Sequence, residues 1–263
     1  MFSAAIATKL FVSPLLIGLA SLAGKRWGPA ISGLLGGLPL VGAPVVLVLW
    51  MADGQATALR AALTAPIGVW ATMVYLLVFG FASRRFRWWG ALGIGWVSYL
   101  AMAAALHYSG LDQQTWLGLL VIPTLLLVAT RVLPRPSTPP EAVRLPPQEL
   151  LARMLAAVGL VLLLTTVASF IGPDFTGVLA GAPVAATVIP SFTLAMAGRD
   201  PLLRVLRGFI SGLMGFAAFF LVLAAAMPPL GWLALLPAVV VAVLVGMSGA
   251  RLLHLHALRH GRL

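Results

Sequence analysis

Long runs of apolar residues, separated by short polar connectors, dominate the sequence. Nine runs approach or exceed the roughly 20 apolar residues that an α-helix needs to cross a bilayer core. They cover residues 4–24, 30–51, 61–83, 88–107, 115–132, 151–171, 176–197, 205–227 and 230–250. A Pro-rich linker over 133–149 is the longest connector, and a basic tail over 251–263 follows the last run. The pattern predicts an all-α membrane protein with about nine transmembrane helices.

The composition supports a membrane location and excludes several classes of protein. Of the 263 residues, 61% are hydrophobic and 9% are charged, whereas a soluble domain carries about 25% charged residues. The chain has no cysteine, which removes disulfides, thiolate metal sites and cysteine nucleophiles. It also lacks an HExxH motif, a phosphate-binding P-loop and an intramembrane aspartate pair. We therefore predict no enzyme activity, no cofactor and no metal site.

The net charge of +11 indicates membrane orientation rather than nucleic-acid binding. Alternate connectors of a nine-span chain lie on opposite faces of the membrane. Fifteen of the 17 Lys and Arg residues then lie on one face, and only Lys9 and Arg60 lie on the other. Because basic connectors stay in the cytoplasm, we expect a bacterial inner-membrane protein with its N-terminus outside and its C-terminus cytoplasmic. The basic tail is expected to contact anionic membrane lipids.

The chain aligns with itself without a gap when it is shifted by 144 residues, which indicates an internal duplication. The matching pairs include Gly28 and Gly172, Pro29 and Pro173, Gly33 and Gly177, Pro39 and Pro183, Gly54 and Gly198, Arg60 and Arg204, and Gly68 and Gly212. Five spans separate the two copies, and an odd number of spans reverses their direction across the membrane. We therefore predict two inverted repeats, one of five spans over 1–132 and one of four spans over 150–250.

The second helix of each repeat is interrupted by glycine and proline and forms the predicted binding site. Proline in mid-helix frees the carbonyl four residues back, and in lipid such a group must be buried in protein or line a wet cavity. The predicted substrate-binding residues are Gly36, Gly37, Pro39, Gly42 and Pro44 in the first copy and Gly181, Pro183, Thr187, Pro190 and Ser191 in the second. The alternative interpretation is that these residues only kink the helices and allow tight packing.

Two matched arginines and the absence of buried acids complete the predicted chemistry. Arg60 and Arg204 begin the third helix of each repeat and are expected either to gate the mouths of the site or to contact lipid headgroups. No carboxylate lies near the middle of a span, so a small anionic or neutral solute is favoured over a cation.

Inverted repeats with broken helices are the usual construction of secondary transporters. The sequence therefore favours a secondary carrier or facilitator that moves a small solute by alternating access. Two alternatives stay open. One is a non-transporting subunit or scaffold within a homo-oligomer or larger membrane complex, and the other is a channel.

The two halves also carry a resemblance. The segments GPAISGLLGGLPLVGAP at 28–44 and GPDFTGVLAGAPVAATVIPSFTLAMAG at 172–198 resemble a family of uncharacterised bacterial inner-membrane proteins, which also have two such halves and a Pro-rich middle linker. That resemblance covers most of the chain and implies no activity. At the level of the fold, the halves are similar to bile-acid-symporter-like and sodium/proton-antiporter-like carriers, from which this chain departs by lacking a tenth span and the paired membrane acids.

Overall fold

The protein is described by a computed structural model over residues 4–39, 42–137, 147–171 and 183–259. Within these ranges the chain is helical and contains no strand. The helices are α1 (Ala4–Trp27), α2 (Pro29–Gly37), α3 (Gly42–Asp53), α4 (Gln55–Ala82), α5 (Trp88–Tyr108), α6 (Leu117–Leu127), α7 (Pro147–Ile171), α8 (Val184–Ala197), α9 (Arg199–Leu230) and α10 (Leu235–Arg259). A π-helical turn over Val128–Val132 extends α6.

Several helices are long and apolar enough to span a membrane. The described stretches of this kind are Pro29–Asp53, Gln55–Ala82, Trp88–Tyr108 and Arg199–Leu255, the last of which contains both α9 and α10. Many large hydrophobic side chains on these helices are exposed, among them Val97, Val240 and Leu244. Apolar surface of this extent is unfavourable in water, and together with the helix lengths it identifies a membrane-embedded protein.

Exposed tryptophans lie at the helix ends, as the sequence predicts for the headgroup region. They are Trp27 at the end of α1, Trp88 and Trp89 at the start of α5, Trp116 just before α6, and Trp232 in the turn before α10. Indole rings favour this depth because they are apolar with one polar N–H group. Their positions therefore fit helices whose ends lie at the two membrane surfaces.

One helix end recurs 144 residues further along the chain, at the shift that aligns the sequence with itself. Helices α3 and α8 end at Asp53 and Ala197. Each of these helices is followed by a single glycine with positive φ, Gly54 at 84° and Gly198 at 85°. The packing also recurs, since α3 contacts α4 as α8 contacts α9, and α4 contacts α5 as α9 contacts α10. The segments around Gly54 and Gly198 thus have the same local structure.

Helix α9 lies at the centre of the molecule and makes its most extensive contacts with α2 and α10. Its crossing with α2 uses glycines spaced four residues apart on both helices. A Cβ atom at Gly33 would lie 2.0 Å from the Val205 carbonyl oxygen, and one at Gly208 would lie 2.0 Å from the Ala30 carbonyl oxygen. The backbones are therefore in direct contact, which is the geometry that small residues at this spacing allow in membrane helices.

Candidate functional site

The prolines that interrupt the predicted helices lie at equivalent places. In the first copy, α2 ends at Gly37, the backbone is extended at Leu38, and α3 begins at Gly42. The Pro39 carbonyl accepts a 2.9 Å hydrogen bond from the Ala43 amide, and the Pro183 carbonyl accepts one of the same length from the Thr187 amide. Both prolines therefore lie at the start of a helix, Pro39 before α3 and Pro183 before α8, and the residues that precede Pro183 lie outside the described ranges. Gly181 lies outside the described residues.

The glycines of the predicted site face helix α9 rather than open space. A Cβ atom at Gly36 would lie 2.5 Å from the Phe209 ring, and one at Gly37 would lie 2.5 Å from the Phe209 carbonyl oxygen. At Gly42 the nearest atoms belong to the Phe220 and Phe216 rings. These three glycines permit close packing, as the alternative interpretation of the sequence expects. Pro44 is the third residue of α3 and is partly exposed.

The hydroxyl groups predicted on the second broken helix meet a tyrosine from the first half. Thr187 and Ser191 lie one turn apart on α8 and face the Tyr75 hydroxyl of α4. All three side chains are buried, and the Tyr75 hydroxyl lies within hydrogen-bonding range of Thr187 and Ser191, although the geometry of these contacts is poor. Pro190, between Thr187 and Ser191 on α8, is also buried. The three hydroxyl groups therefore form a small buried polar cluster between α4 and α8.

A buried ion pair lies near the start of helix α7. Arg153 is 2% exposed and Glu149 is 3% exposed, and Arg153 Nη2 donates a hydrogen bond to Glu149 Oε1. Arg153 Nη1 donates to Ser21 Oγ of α1 at 3.1 Å, and Nη2 is 3.5 Å from Thr193 Oγ1 of α8. The guanidinium group also lies over the Phe192 ring at 5.8 Å. Arg153 thus links α7 with α1 and α8.

A small cavity of about 20 Å³ lies against the Arg153 side chain. Its lining residues come from α1, α2, α7, α8 and α9: Ser21, Gly24, Pro29, Ser32, Arg153, Thr193, Ala197 and Val205. This volume accommodates about one water molecule. Ser32 Oγ and Arg153 Nε are buried and lack a partner in the part of the chain that the structure describes. The cavity therefore combines space with polar groups whose hydrogen bonds are unmade.

The role of Arg153 differs from what its sequence position suggests. At the start of a predicted span it is expected to extend to the headgroups, like its repeat partner Lys9, whose side chain lies outside the described residues. Instead, α7 begins at Pro147, inside the predicted linker, and this brings Glu149 into the first turn of the helix. The spacing of four residues between Glu149 and Arg153 is the sequence signal for the pair.

The two matched arginines of the third helices lie away from this cavity. Arg60 is exposed near the start of α4, and Arg204 is partly exposed near the start of α9. Neither residue lines the cavity beside Arg153. Gating and lipid contact both stay predictions for these positions.

The site around Arg153 can form both ionic interactions and hydrogen bonds. It holds a cation whose charge is compensated by Glu149, and several hydroxyl groups that donate and accept hydrogen bonds. Its donors and acceptors are suited to binding a polar group. Comparisons of the chain with protein families, with characterised proteins and with solved structures find no match.

Proposed function

We propose that the protein is a secondary carrier or facilitator that moves a small solute across the bacterial inner membrane by alternating access. In this proposal nine spans form two inverted repeats of five and four helices, with the N-terminus outside and the C-terminus in the cytoplasm. The observation that carries the proposal is the polar cavity at Arg153, where α1 and α2 of the first copy meet α7 and α8 of the second.

The position of that cavity supports a site rather than a structural ion pair alone. Ionisable groups within membrane helices are expensive to bury, and they commonly mark substrate or ion pathways. In carriers built from inverted repeats, the solute binds at the interface of the two halves, near the interrupted helices. The cavity has this location, because Ser32 lies on α2 and Thr193 lies on α8.

The matched prolines and helix bounds support the duplication that alternating access requires. Two similar halves with opposite orientation exchange conformations, so that a site between them opens to one side and then to the other. The inverted orientation itself follows from the distribution of basic residues in the connectors.

The scaffold alternative is favoured by a different observation, the close crossing of α2 and α9. Backbone contact at Gly33 and Gly208 suits a rigid assembly, and a scaffold needs no opening between the helices. The two functions therefore differ in whether water and small reagents reach the cavity beside Arg153.

Single cysteines provide the test, because the natural chain contains none. Ser32→Cys and Thr193→Cys are placed at buried positions that line the cavity and exposed to a small charged thiosulfonate on either side of sealed vesicles. A carrier predicts reaction at both positions, and a scaffold predicts reaction at neither. Ser211→Cys is the matched control, since Ser211 is 1% exposed on α9 and lies outside the cavity lining; it should stay unreactive.

The channel alternative gives a separate result in the same vesicles. Arg85→Cys and Asp112→Cys lie in exposed connectors and are expected on opposite faces. In a carrier, the impermeant reagent modifies only the cysteine on the side of addition. Modification of both cysteines from one side by the small thiosulfonate, but of only one of them by a bulky maleimide, would indicate a continuous pore. Modification of both by either reagent would instead contradict the topology.

A further inference from the structure

We propose that the cavity beside Arg153 takes a small polar solute of zero net charge, with an amide as the simplest example. This inference rests on the proposed carrier function and names the class of solute that its site accepts. It narrows the solute from anionic or neutral to neutral.

The first reason is the charge balance of the site. Arg153 already has a carboxylate partner, and both members of the pair are at most 3% exposed. An anion that entered the cavity would add a negative charge to a neutral buried pair, and a cation would add a positive charge. Either charge would be buried without a counter-charge, which is strongly unfavourable. A neutral solute avoids this cost.

The second reason is the set of hydrogen bonds that the cavity leaves unmade. Arg153 Nε has a hydrogen to donate and no described acceptor. The Ser32 hydroxyl, also without a described partner, both donates and accepts. The Thr193 hydroxyl donates to the Ile189 carbonyl at 2.7 Å, so its oxygen accepts from the cavity side. A solute with one acceptor and one donor matches these groups, and an amide has both.

The third consideration is size. The cavity of about 20 Å³ holds one water molecule in this conformation, so an amide enters only when α1 and α2 move away from α7 and α8. A fixed structural water is therefore the competing occupant. If a fixed water molecule fills the cavity, none of the solutes should bind there.

Three probes of the same shape and different charge test the class: acetate, acetamide and acetamidinium. Each is added at equal concentration and ionic strength to the purified protein in detergent, and the melting temperature is measured. Since a ligand that binds the folded state raises the melting temperature, we expect acetamide to raise it and the two ions to leave it unchanged. A larger shift with either ion would overturn the neutral class.

Glu149→Gln supplies the matched comparison, because it leaves Arg153 without its counter-charge. Acetate is then expected to become the preferred probe, with an apparent affinity at least tenfold above its value in the natural protein. The double variant Glu149→Gln and Arg153→Gln restores a neutral cavity and is expected to prefer acetamide again. If Glu149→Gln gains no affinity for acetate, Arg153 does not face the ligand and the inference is wrong.

A milder variant keeps the test valid if Glu149→Gln fails to fold. Ser32→Ala removes only a hydroxyl group and is expected to weaken acetamide binding about fivefold, the value of one hydrogen bond. Unchanged affinity, or no stabilisation of the natural protein by any probe, would favour the structural water. The cysteine-accessibility experiment does not depend on solute charge, so its outcome separates a failure of the solute class from a failure of the carrier proposal.

Discussion

The contact between α2 and α9 makes a quantitative prediction for a single methyl group. In Gly208→Ala the new Cβ atom would lie 2.0 Å from the Ala30 carbonyl oxygen and 2.8 Å from the Leu34 amide nitrogen. Both neighbours are helix backbone, which cannot rotate away as a side chain does. Ordinary contacts of a Cβ atom begin at 3.4 Å, so the two helices must separate by about 1.4 Å.

The magnitude follows from two opposing terms. Forcing an extra carbon into a well-packed contact costs about 1–3 kcal/mol, and the shared contact along α2 and α9 places Gly208→Ala at the upper end. Alanine recovers up to about 1 kcal/mol because it is the better helix former. The expected net loss is therefore about 2 kcal/mol.

Gly93→Ala is the matched control, because Gly93 lies within α5 and no described atom comes within 4 Å of its Cβ position. It is expected to gain up to about 1 kcal/mol from helix propensity alone. At about 2–4 °C per kcal/mol for a chain of this size, the two variants should differ by about 6–12 °C in melting temperature. Circular dichroism of the purified variants in one detergent gives the comparison. Melting temperatures that agree within about 2 °C would refute direct backbone contact at this crossing.

Three further predictions address the ion pair, the hydroxyl cluster and the topology. Arg153→Met should destabilise the protein by about 3–5 kcal/mol in thermal melts, because it leaves Glu149 buried and unpaired. Adding Glu149→Leu to this variant should recover most of the lost stability. Equal melting temperatures of the single and double variants would contradict a buried pair. Tyr75→Phe removes a hydroxyl whose contacts with Thr187 and Ser191 have poor geometry and should change the free energy of unfolding by less than about 1 kcal/mol. A larger loss would show that these hydrogen bonds are well formed. Cysteines at Arg85 and Asp112 should react with an impermeant maleimide from opposite sides of the membrane, and reaction from the same side would exclude the proposed topology.

The helices and their breaks were predictable from the sequence because each has a local cause. Runs of apolar residues set the helix positions, and single glycines such as Gly54 and Gly198 end them where φ is positive. The break after Gly37 follows from Pro39, which has no amide hydrogen to continue the helix. Aligning the chain with itself also predicted that two segments correspond. Matched glycines and prolines carry this prediction, because in a chain rich in leucine and alanine they match by chance less often.

The polar site was predictable only in part. Thr187 and Ser191 were identified as hydroxyls beside a helix break, and the structure places Tyr75 opposite them. The burial of Arg153 was not predicted, because a cation near a span end normally extends to the headgroups. Its burial depends on where α7 begins and on Ser21 from a helix distant in sequence. Long-range packing of this kind leaves no local pattern in the chain.

The partners of the glycines in α2 were also not predictable from the sequence. A glycine beside a proline permits the approach of either a ligand or another helix. The sequence contains the spacing of four residues between Gly33 and Gly37 but does not state which partner approaches. In the structure the partner is the backbone of α9.

The central claim, that the cavity at Arg153 opens, is tested most directly by a distance measurement between two spin labels. Trp27→Cys and Met196→Cys place labels on exposed positions, 64% and 51% accessible, at the ends of α1 and α8 that flank the cavity. We predict that electron-resonance distance distributions in lipid contain two populations, whose ratio shifts when acetamide is added. A single narrow distance that no solute changes would contradict the carrier and favour a rigid scaffold.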